Sequence, residues 1–551
     1  MSASAKKKLR KEEAAGQLTE KQLKQQKEAK KLKVYTTIFV VAIAVVLIFG
    51  IIIAGTNLYK NSGIKEKNTI AAEIGDHEIN SVEFGYYYSD LLNTTYNNWV
   101  SSYGDNVNLY LGFMGLDIAK PLSEQSYSDT TTWADYFVDM ALSTAQRDYL
   151  LSDLAKAEGF TLSEKSQATL DQTLNNLPAF ATLYGYTNVD NYLRAMYGPG
   201  SSEESYRAYA ERSALAADYY DAYEENLVID DAAIRAYEAD KFDEFSSFSY
   251  ANYTLSYSYY LTGGTEDENG VVTHTEEENA AAREAVKAAA EAFPECHSVE
   301  ELNAAIAELP YNKDQDVECN ISNDVMYEYT SANVRDWLAD SSRQVGDFTM
   351  VPNESTTTDE NGVETTNITG YTAYVFTGRN DNTDYLANVR HILFNFEGGT
   401  TDDNGVVTYS DEEKAAAKAE AEALLELYEM GEMTEESFAE LATSNTDDTG
   451  SAENGGLYED IAPVEGVYVE SFTNWATDPV REAGDTGIIE STYGYHVMYY
   501  VGDDELTYRD SLIYEQIKTE TVSNWYDNIL ATADIVEKDT SLLNRDIILG
   551  Q

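Results

Sequence analysis

An uncharged run dominates the start of the hydrophobic pattern. Residues 34–55 read VYTTIFVVAIAVVLIFGIIIAG, 22 positions without a charge. As a helix rising 1.5 Å per residue they extend about 33 Å, enough for a bilayer core of about 30 Å, so the pattern predicts one membrane-spanning helix. Farther on, Trp133, Phe137, Ala141, Ala145, Leu150, Leu154 and Ala157 fall on a stripe of helical period, and residues 203–227 repeat the habit. Residues 56–245 therefore predict a mainly helical domain. Beyond residue 246 the chain is duplicated: GGTEDENGVVT (263–273) and GGTTDDNGVVT (398–408) share nine residues of eleven at an offset of 135. Each copy runs on through a capping box, Thr275 with Glu278 and Ser410 with Glu413, into an alanine-rich helix. Strand, hairpin, helix is the predicted order in both. Asn269-Gly270 and Asn404-Gly405 supply the positive φ of tight hairpin turns, and Asn361-Gly362 adds a third late in the first copy. GYTAYVFTG (370–378) parallels GYHVMYYVG (494–502), so both copies end on the same strand. Two copies of this length indicate tandem domains, near 246–383 and 384–503, and not a solenoid.

Charge changes the picture next. The 551 residues hold 37 Lys or Arg against 97 Asp or Glu, a formal net charge of -60 that excludes nucleic acid as a main partner. With 43% hydrophobic and 24% charged residues the acidity decorates folded domains. Residues 1–33 reverse the sign, with eleven Lys/Arg against four Glu. By the positive-inside rule this segment is cytoplasmic and everything after about Thr56 lies outside. A cleaved signal peptide is the alternative, but the basic and apolar stretches are longer than usual for one and no small-x-small cleavage site follows. Cys296 and Cys319 are the only cysteines, too few for a thiolate zinc site, and none precedes them to carry a lipid. They leave one disulfide or two buried thiols open. The acidic runs read as solvated faces, and no EF-hand spacing occurs.

Three stretches of the second copy, NVRHILFNF (388–396), ESFAELATSNTDDTGSAENGGL (436–457) and ESTYGYHVMYYV (490–501), resemble in order and spacing the parvulin family of peptidyl-prolyl isomerases. AAEIGDHEINSVEFGYYYSDLL (71–92), VIDDAAIRAYEADKFDEF (228–245) and the segment 514–539 resemble the chaperone module of secreted foldases of the PrsA and SurA type. The fold implied is α+β: a basic cytoplasmic segment (1–33), a transmembrane anchor (34–55), a helical chaperone domain (56–245), a degenerate parvulin-like domain (246–383), a parvulin isomerase domain (384–503) and a C-terminal helix (504–551) joining the chaperone domain.

The resemblance makes His391 and His496 the paired central histidines and puts Asp448 beside the rotating carbonyl. It gives Leu457, Tyr468 and Phe472 the proline ring to receive, and places Tyr493 where relatives carry Ser or Thr. Read from the residues alone, a strand histidine can equally be a hydrogen-bonded core residue, and two His with Asp448 can hold a metal. At the offset of the repeat His391 meets Ser256, and on the last strand His496 meets Thr372, so the first copy lacks both imidazoles and is not expected to catalyse. Its tyrosines (Tyr250, Tyr253, Tyr257, Tyr259, Tyr260) either bind extended peptide or pack the sheet. The expected function is a membrane-anchored extracytoplasmic foldase that isomerises X-Pro bonds without a cofactor or metal. Its partners would be newly secreted or unfolded proteins, proline-containing peptides and, through the N-terminal helix, the membrane. A non-catalytic holdase and a surface adhesin on a parvulin scaffold are the alternatives.

Overall fold

The computed structural model describes residues 62–549 apart from 267–269, 314, 359–363, 403–404, 465 and 548. The basic segment, the predicted anchor and the Asn361-Gly362 turn lie outside the described residues. Among the described residues no helix is long and apolar enough to cross a membrane. The chain forms two compact units, one from residues up to 227 together with 521–551, the other from 228–520.

The first unit is built on helices. After a short helix α1 (Ile64–Asn68), strands β1 (Ile70–Ile74) and β2 (His77–Asn80) form a hairpin, and Asn80 caps α2 (Ser81–Tyr103) by accepting the Val82 and Glu83 N–H groups. Helices α3 (Val107–Phe113), α4 (Trp133–Glu158), α5 (Glu164–Leu183), α6 (Val189–Tyr197) and α7 (Glu203–Glu225) follow. A capping box of Thr132 and Asp135 starts α4, and Gly159, at φ +74°, ends it. Trp133, Phe137, Ala141 and Ala145 are buried as their spacing predicts, but in the last turns the buried side is Leu151 and Ala155, not Leu150, Leu154 and Ala157. The stripe drifts because 3.6 residues per turn does not return a spacing of four to the same face.

The second unit starts with α8 (Asp231–Lys241) and contains both copies. The first has β3 (Ser247–Ser256), a small hairpin β4 (Thr265–Glu266) and β5 (Val272–Thr273), α9 (Glu276–Ala292), α10 (Val299–Ala307), β6 (Asn320–Met326), α11 (Arg335–Ala339), β7 (Phe348–Thr358) and β8 (Glu364–Asn380). The second repeats the series as β9 (Tyr385–Asn395), β10 (Thr400–Thr401), β11 (Val407–Thr408), α12 (Asp411–Glu429), α13 (Glu435–Asn445), β12 (Leu457–Ile461), α14 (Glu470–Ala476), β13 (Thr486–Glu490) and β14 (Gly494–Thr507). The sheets run β6-β3-β8-β7 and β12-β9-β14-β13, all antiparallel, with the last long strand central beside the first. Each sheet buries one face under its two long helices and packs the other against the short α11 or α14. The predicted hairpins form, with Gly270 and Gly405 at φ +82° and +83°. Both capping boxes form too, and Glu278 and Glu413 also accept the N–H of Gly264 and Gly399.

The last helix, α15 (Tyr508–Leu530), begins in the second unit, where Ile513 packs with Ile234 of α8 and Phe245. Its final turns belong to the first unit, where Trp525 stacks on Tyr223 at 3.7 Å. The chain then adds β15 (Ile535–Glu537) to the edge of β1. The two cysteines are free thiols in the core between β3, β8 and the long helices of the first copy, and burial pushes both up. Tyr250 and Tyr253 are buried sheet residues, Tyr257 and Tyr260 pack half-buried against that core, and Tyr259 stacks on Tyr311 while remaining 57% exposed.

Candidate active site

The second copy's sheet brings two histidines together by register. On β9 His391 lies opposite Met498, and on β14 His496 lies opposite Leu393. The two histidines are thus diagonal neighbours on one face, within reach of each other's rings. The rings stack at 5.2 Å with 22° between planes, and their Nδ1 atoms are 3.0 Å apart. Both are buried, at 3% and 4% exposure.

Asp448 reaches this pair because the loop after α13 is tied to β9. Thr446 accepts the Leu393 N–H and the Asp448 N–H on one hydroxyl, and the Asp447 N–H donates to Leu393 O. The Asp448 carboxylate then meets His391 Nε2 at 2.9 Å and accepts hydroxyl bonds from Ser451 at 2.5 Å and Tyr458 at 3.0 Å. Burial alone would raise its pKa, but the hydrogen bonds from Ser451, His391, Tyr458 and the Gly450 N–H outweigh burial and hold it at about 2. An ionised carboxylate can only accept, so His391 Nε2 carries a proton and its Nδ1 is bare. His496 must then donate from Nδ1, which leaves its Nε2 to accept the Ser491 hydroxyl at 2.8 Å. One proton per ring satisfies every contact in this chain from Ser491 to Asp448. Burial pushes both imidazoles below their ordinary range, and for His496 the neighbouring His391 adds to the effect and takes it to about 4. Both rings are therefore neutral at pH 7.

An apolar wall faces the histidines. Phe472, buried on α14, meets His391 edge-on at 5.3 Å and His496 at 5.8 Å, with Tyr458 and Tyr468 packed against it. The cleft has a volume of about 510 Å³, and His391, Asp448, His496, Tyr468, Phe472 and Tyr493 all line it. Leu457 does not. It stands next to Tyr458 on β12, and successive strand residues point to opposite sides, so Tyr458 enters the cleft in its place. Sequence reasoning also passed over Ser451 and Ser491; the available signal was their position three residues after Asp448 and five before His496. The ring nitrogens are taken by one another, Asp448 and Ser491, so they offer no converging lone pairs to a metal.

Residues 371–502 match the family model of the PPIC-type PPIASE domain. This segment is similar to parvulin-type domains. Over 115 residues the chain is 32% identical to foldase protein PrsA 1 of Listeria monocytogenes serotype 4b (strain F2365), and equally to foldase protein PrsA 1 of Listeria innocua serovar 6a. The match takes in 19% of this chain and 38% of each relative, so the chain spans well under half the length of the curated relatives it matches. The crystal structure of PrsA from Bacillus subtilis aligns with 76% of this chain and 95% of its own at 13% identity and a TM-score of 0.23.

The register of the first copy corrects the equivalence drawn from the repeat. Gly370 pairs with Ser256 as Gly494 pairs with Asn395, and both sheets slip by one residue near the far end, at Ser249/Tyr250 and Tyr500/Gly502. Position 391 therefore corresponds to Asn252, not Ser256, whereas Thr372 does stand for His496. The shift of four is the single helical turn Tyr257–Tyr260, which only the first copy inserts between its strand and the shared GGT motif.

Proposed function

We propose that the chain is a membrane-anchored extracytoplasmic foldase whose parvulin-type domain catalyses cis/trans isomerisation of X-Pro bonds in unfolded or newly secreted proteins. The observation that carries this is the neutral His391–His496 pair set between the Asp448 carboxylate and the Phe472 wall in an open cleft. Rotation about an X-Pro bond crosses a barrier of about 18–20 kcal/mol set by amide resonance, and no bond need break. The planar amide carries negative charge on its oxygen and is stabilised by water; the twisted amide has lost most of that polarity. A pocket that seats the pyrrolidine ring on Phe472 and Tyr468, sheds water and keeps an anion beside the carbonyl favours the twisted form. Asp448 would set that field, and the histidines, with Ser491 behind them, would hold its geometry. Each 1.4 kcal/mol of preference is tenfold in rate.

The test is isomerisation of a short X-Pro peptide by the full chain and by His496→Ala. A rate at least tenfold lower in the variant, with cooperative melting retained at a somewhat lower temperature, is expected; equal turnover in the folded variant would mean that the cleft is not the site. The anchor and the outward orientation rest on the uncharged run of residues 34–55 and its basic flank. A non-catalytic holdase is the second reading. It is favoured by the apolar side chains that the first unit leaves open on α3 and at the end of α5, Phe113 at 82% and Leu183 at 74% exposure. Suppressed client aggregation without isomerase turnover would support it.

A further inference from the structure

The first copy keeps a cavity at the place that its twin uses for the histidine cleft. It measures about 740 Å³, and its lining includes Asn252, Thr254, Asn333, Asn353, Glu354 and Thr372. Asn252 and Thr372 occupy the register positions of His391 and His496. The apolar wall has gone. The Trp337–Arg343 stack and the Trp475–Arg481 stack, each at 4.1 Å, align α11 with α14 and set Val334 opposite Phe472 and Thr330 opposite Tyr468. Val334 and Thr330 are both buried and neither is aromatic, so the ring floor that Phe472 and Tyr468 form in the twin has no counterpart.

Amides and hydroxyls take the place of the rings. The Asn333 carboxamide donates to Asn353 Oδ1 at 3.1 Å, Asn353 donates to the Thr372 hydroxyl at 2.9 Å, and Thr372 shares a bond of 2.8 Å with Thr254. These bonds fix the wall. Asn252 makes no side-chain hydrogen bond with any described residue, so its carboxamide keeps its donors and acceptor for a ligand that enters the cavity. One carboxamide matches one peptide unit, N–H to C=O and C=O to N–H. Glu354 is the one charged residue of the lining, which disfavours anions, and the aromatic ring of the lining, Tyr374, is buried at 5% exposure and offers a sugar no open face. Along one rim runs β7, the edge strand of its sheet, where Pro352, Asn353 and Glu354 stand. An extended chain can lie beside such an edge.

We propose that this cavity is a non-catalytic site that binds the backbone of extended, uncharged, proline-free polypeptide through Asn252. It would give a client chain a second point of attachment within the same unit as the isomerase cleft. The proposal rests on the reading of the protein as a handler of unfolded chains, but its test does not depend on isomerase turnover. A fluorescein-labelled, uncharged, proline-free twelve-residue peptide would be titrated into the full chain and read by anisotropy, with excess X-Pro tetrapeptide present to occupy the other cleft. Asn252→Asp, which keeps the shape and replaces donors with charge, and Asn353→Ala, at the edge, should each weaken binding at least tenfold. The same peptide with alternate amides N-methylated should lose binding, and X-Pro turnover should be unchanged in both variants. Circular dichroism checks folding, and should Asn252→Asp unfold, Asn353→Ala decides. Equal affinity in the folded variants, no binding by the natural sequence, or binding of a neutral oligosaccharide in place of the peptide would each overturn the proposal. Absent turnover with intact, variant-sensitive peptide binding would instead count against the isomerase reading alone.

Discussion

At the scale of single residues the cleft is a titration device whose sign is fixed by burial. His496 in the folded chain takes a proton only near pH 4, whereas an unfolded histidine takes one near 6.5. Between those values the unfolded chain binds more protons, so acidification favours unfolding. The stability linked to this group is complete above about pH 6.5, falls as the pH drops through the window and levels off below about 4, a total of about 3 kcal/mol. Asp448 adds a separate, lower step. Its folded pKa of about 2 lies under the ordinary carboxylate value, so its contribution is lost only as the pH falls below about 4. Urea denaturation from pH 8 to 4 should therefore show natural-sequence stability declining more steeply below pH 6.5 than that of His496→Asn. Isomerase turnover should stay flat from pH 7 to 8, where both rings are neutral. Parallel stability curves for the two proteins would show that His496 is not a buried neutral imidazole.

At the scale of elements, the histidine geometry depends on how closely the chain folds back on β9. Gly456 sits at φ +74° and its N–H side of the loop is fixed by Arg390, which donates to the Asn454 and Gly455 carbonyls. A Cβ on Gly456 would stand 2.2 Å from the His391 carbonyl oxygen. Gly456→Ala should cost about 3 kcal/mol, from left-handed strain plus displaced backbone, and should lower turnover further than the unfolded fraction accounts for. Gly405→Ala is the control: its φ is +83° but nothing lies within 4 Å, so strain of about 1 kcal/mol and normal turnover are expected. Equal effects at the two glycines would detach the loop from the site. The same closeness explains what was legible in the sequence. The G-G pair and the final G-Y-H strand are readable because only glycine fits where strands and loops touch, and Gly494 likewise would drive a Cβ to 1.9 Å from the Phe394 carbonyl oxygen. The choice between Leu457 and Tyr458 was not readable, since strand phase turns on one residue and both side chains are large enough for a cleft. Nor was Asn252, because the repeat is anchored on a hairpin and the extra turn Tyr257–Tyr260 lies between that anchor and the strand.

At the scale of the whole molecule, the order of the chain makes one unit continuous and the other not. Residues 228–520 begin and end the second unit, but the first unit needs residues 521–551 as well as those before 228. That return is more than a tail. It supplies β15 to the sheet edge at β1, the Trp525 ring on Tyr223, and Leu549 to the core around Phe84 and Trp133. Without it the backbone of β1 loses one partner strand and the aromatic contacts of α7 are open to water, losses set against a margin of only about 5–15 kcal/mol by which domains are stable. Within the second unit the buried Arg509 of α15 donates to the Asp381 and Phe242 carbonyls and to the Ser246 hydroxyl, all upstream of residue 521. A chain ending at Glu520 should therefore keep isomerase turnover within about twofold and lose the cooperative melting of the helical unit, with its trypsin sites in residues 62–227 opened. The complementary chain that lacks 228–520, with a short linker across the gap, should melt cooperatively and show no turnover. If the chain ending at Glu520 retained both transitions, the C-terminal strand and helix end would be ornaments on a unit already complete, and the discontinuous reading of the fold would fail.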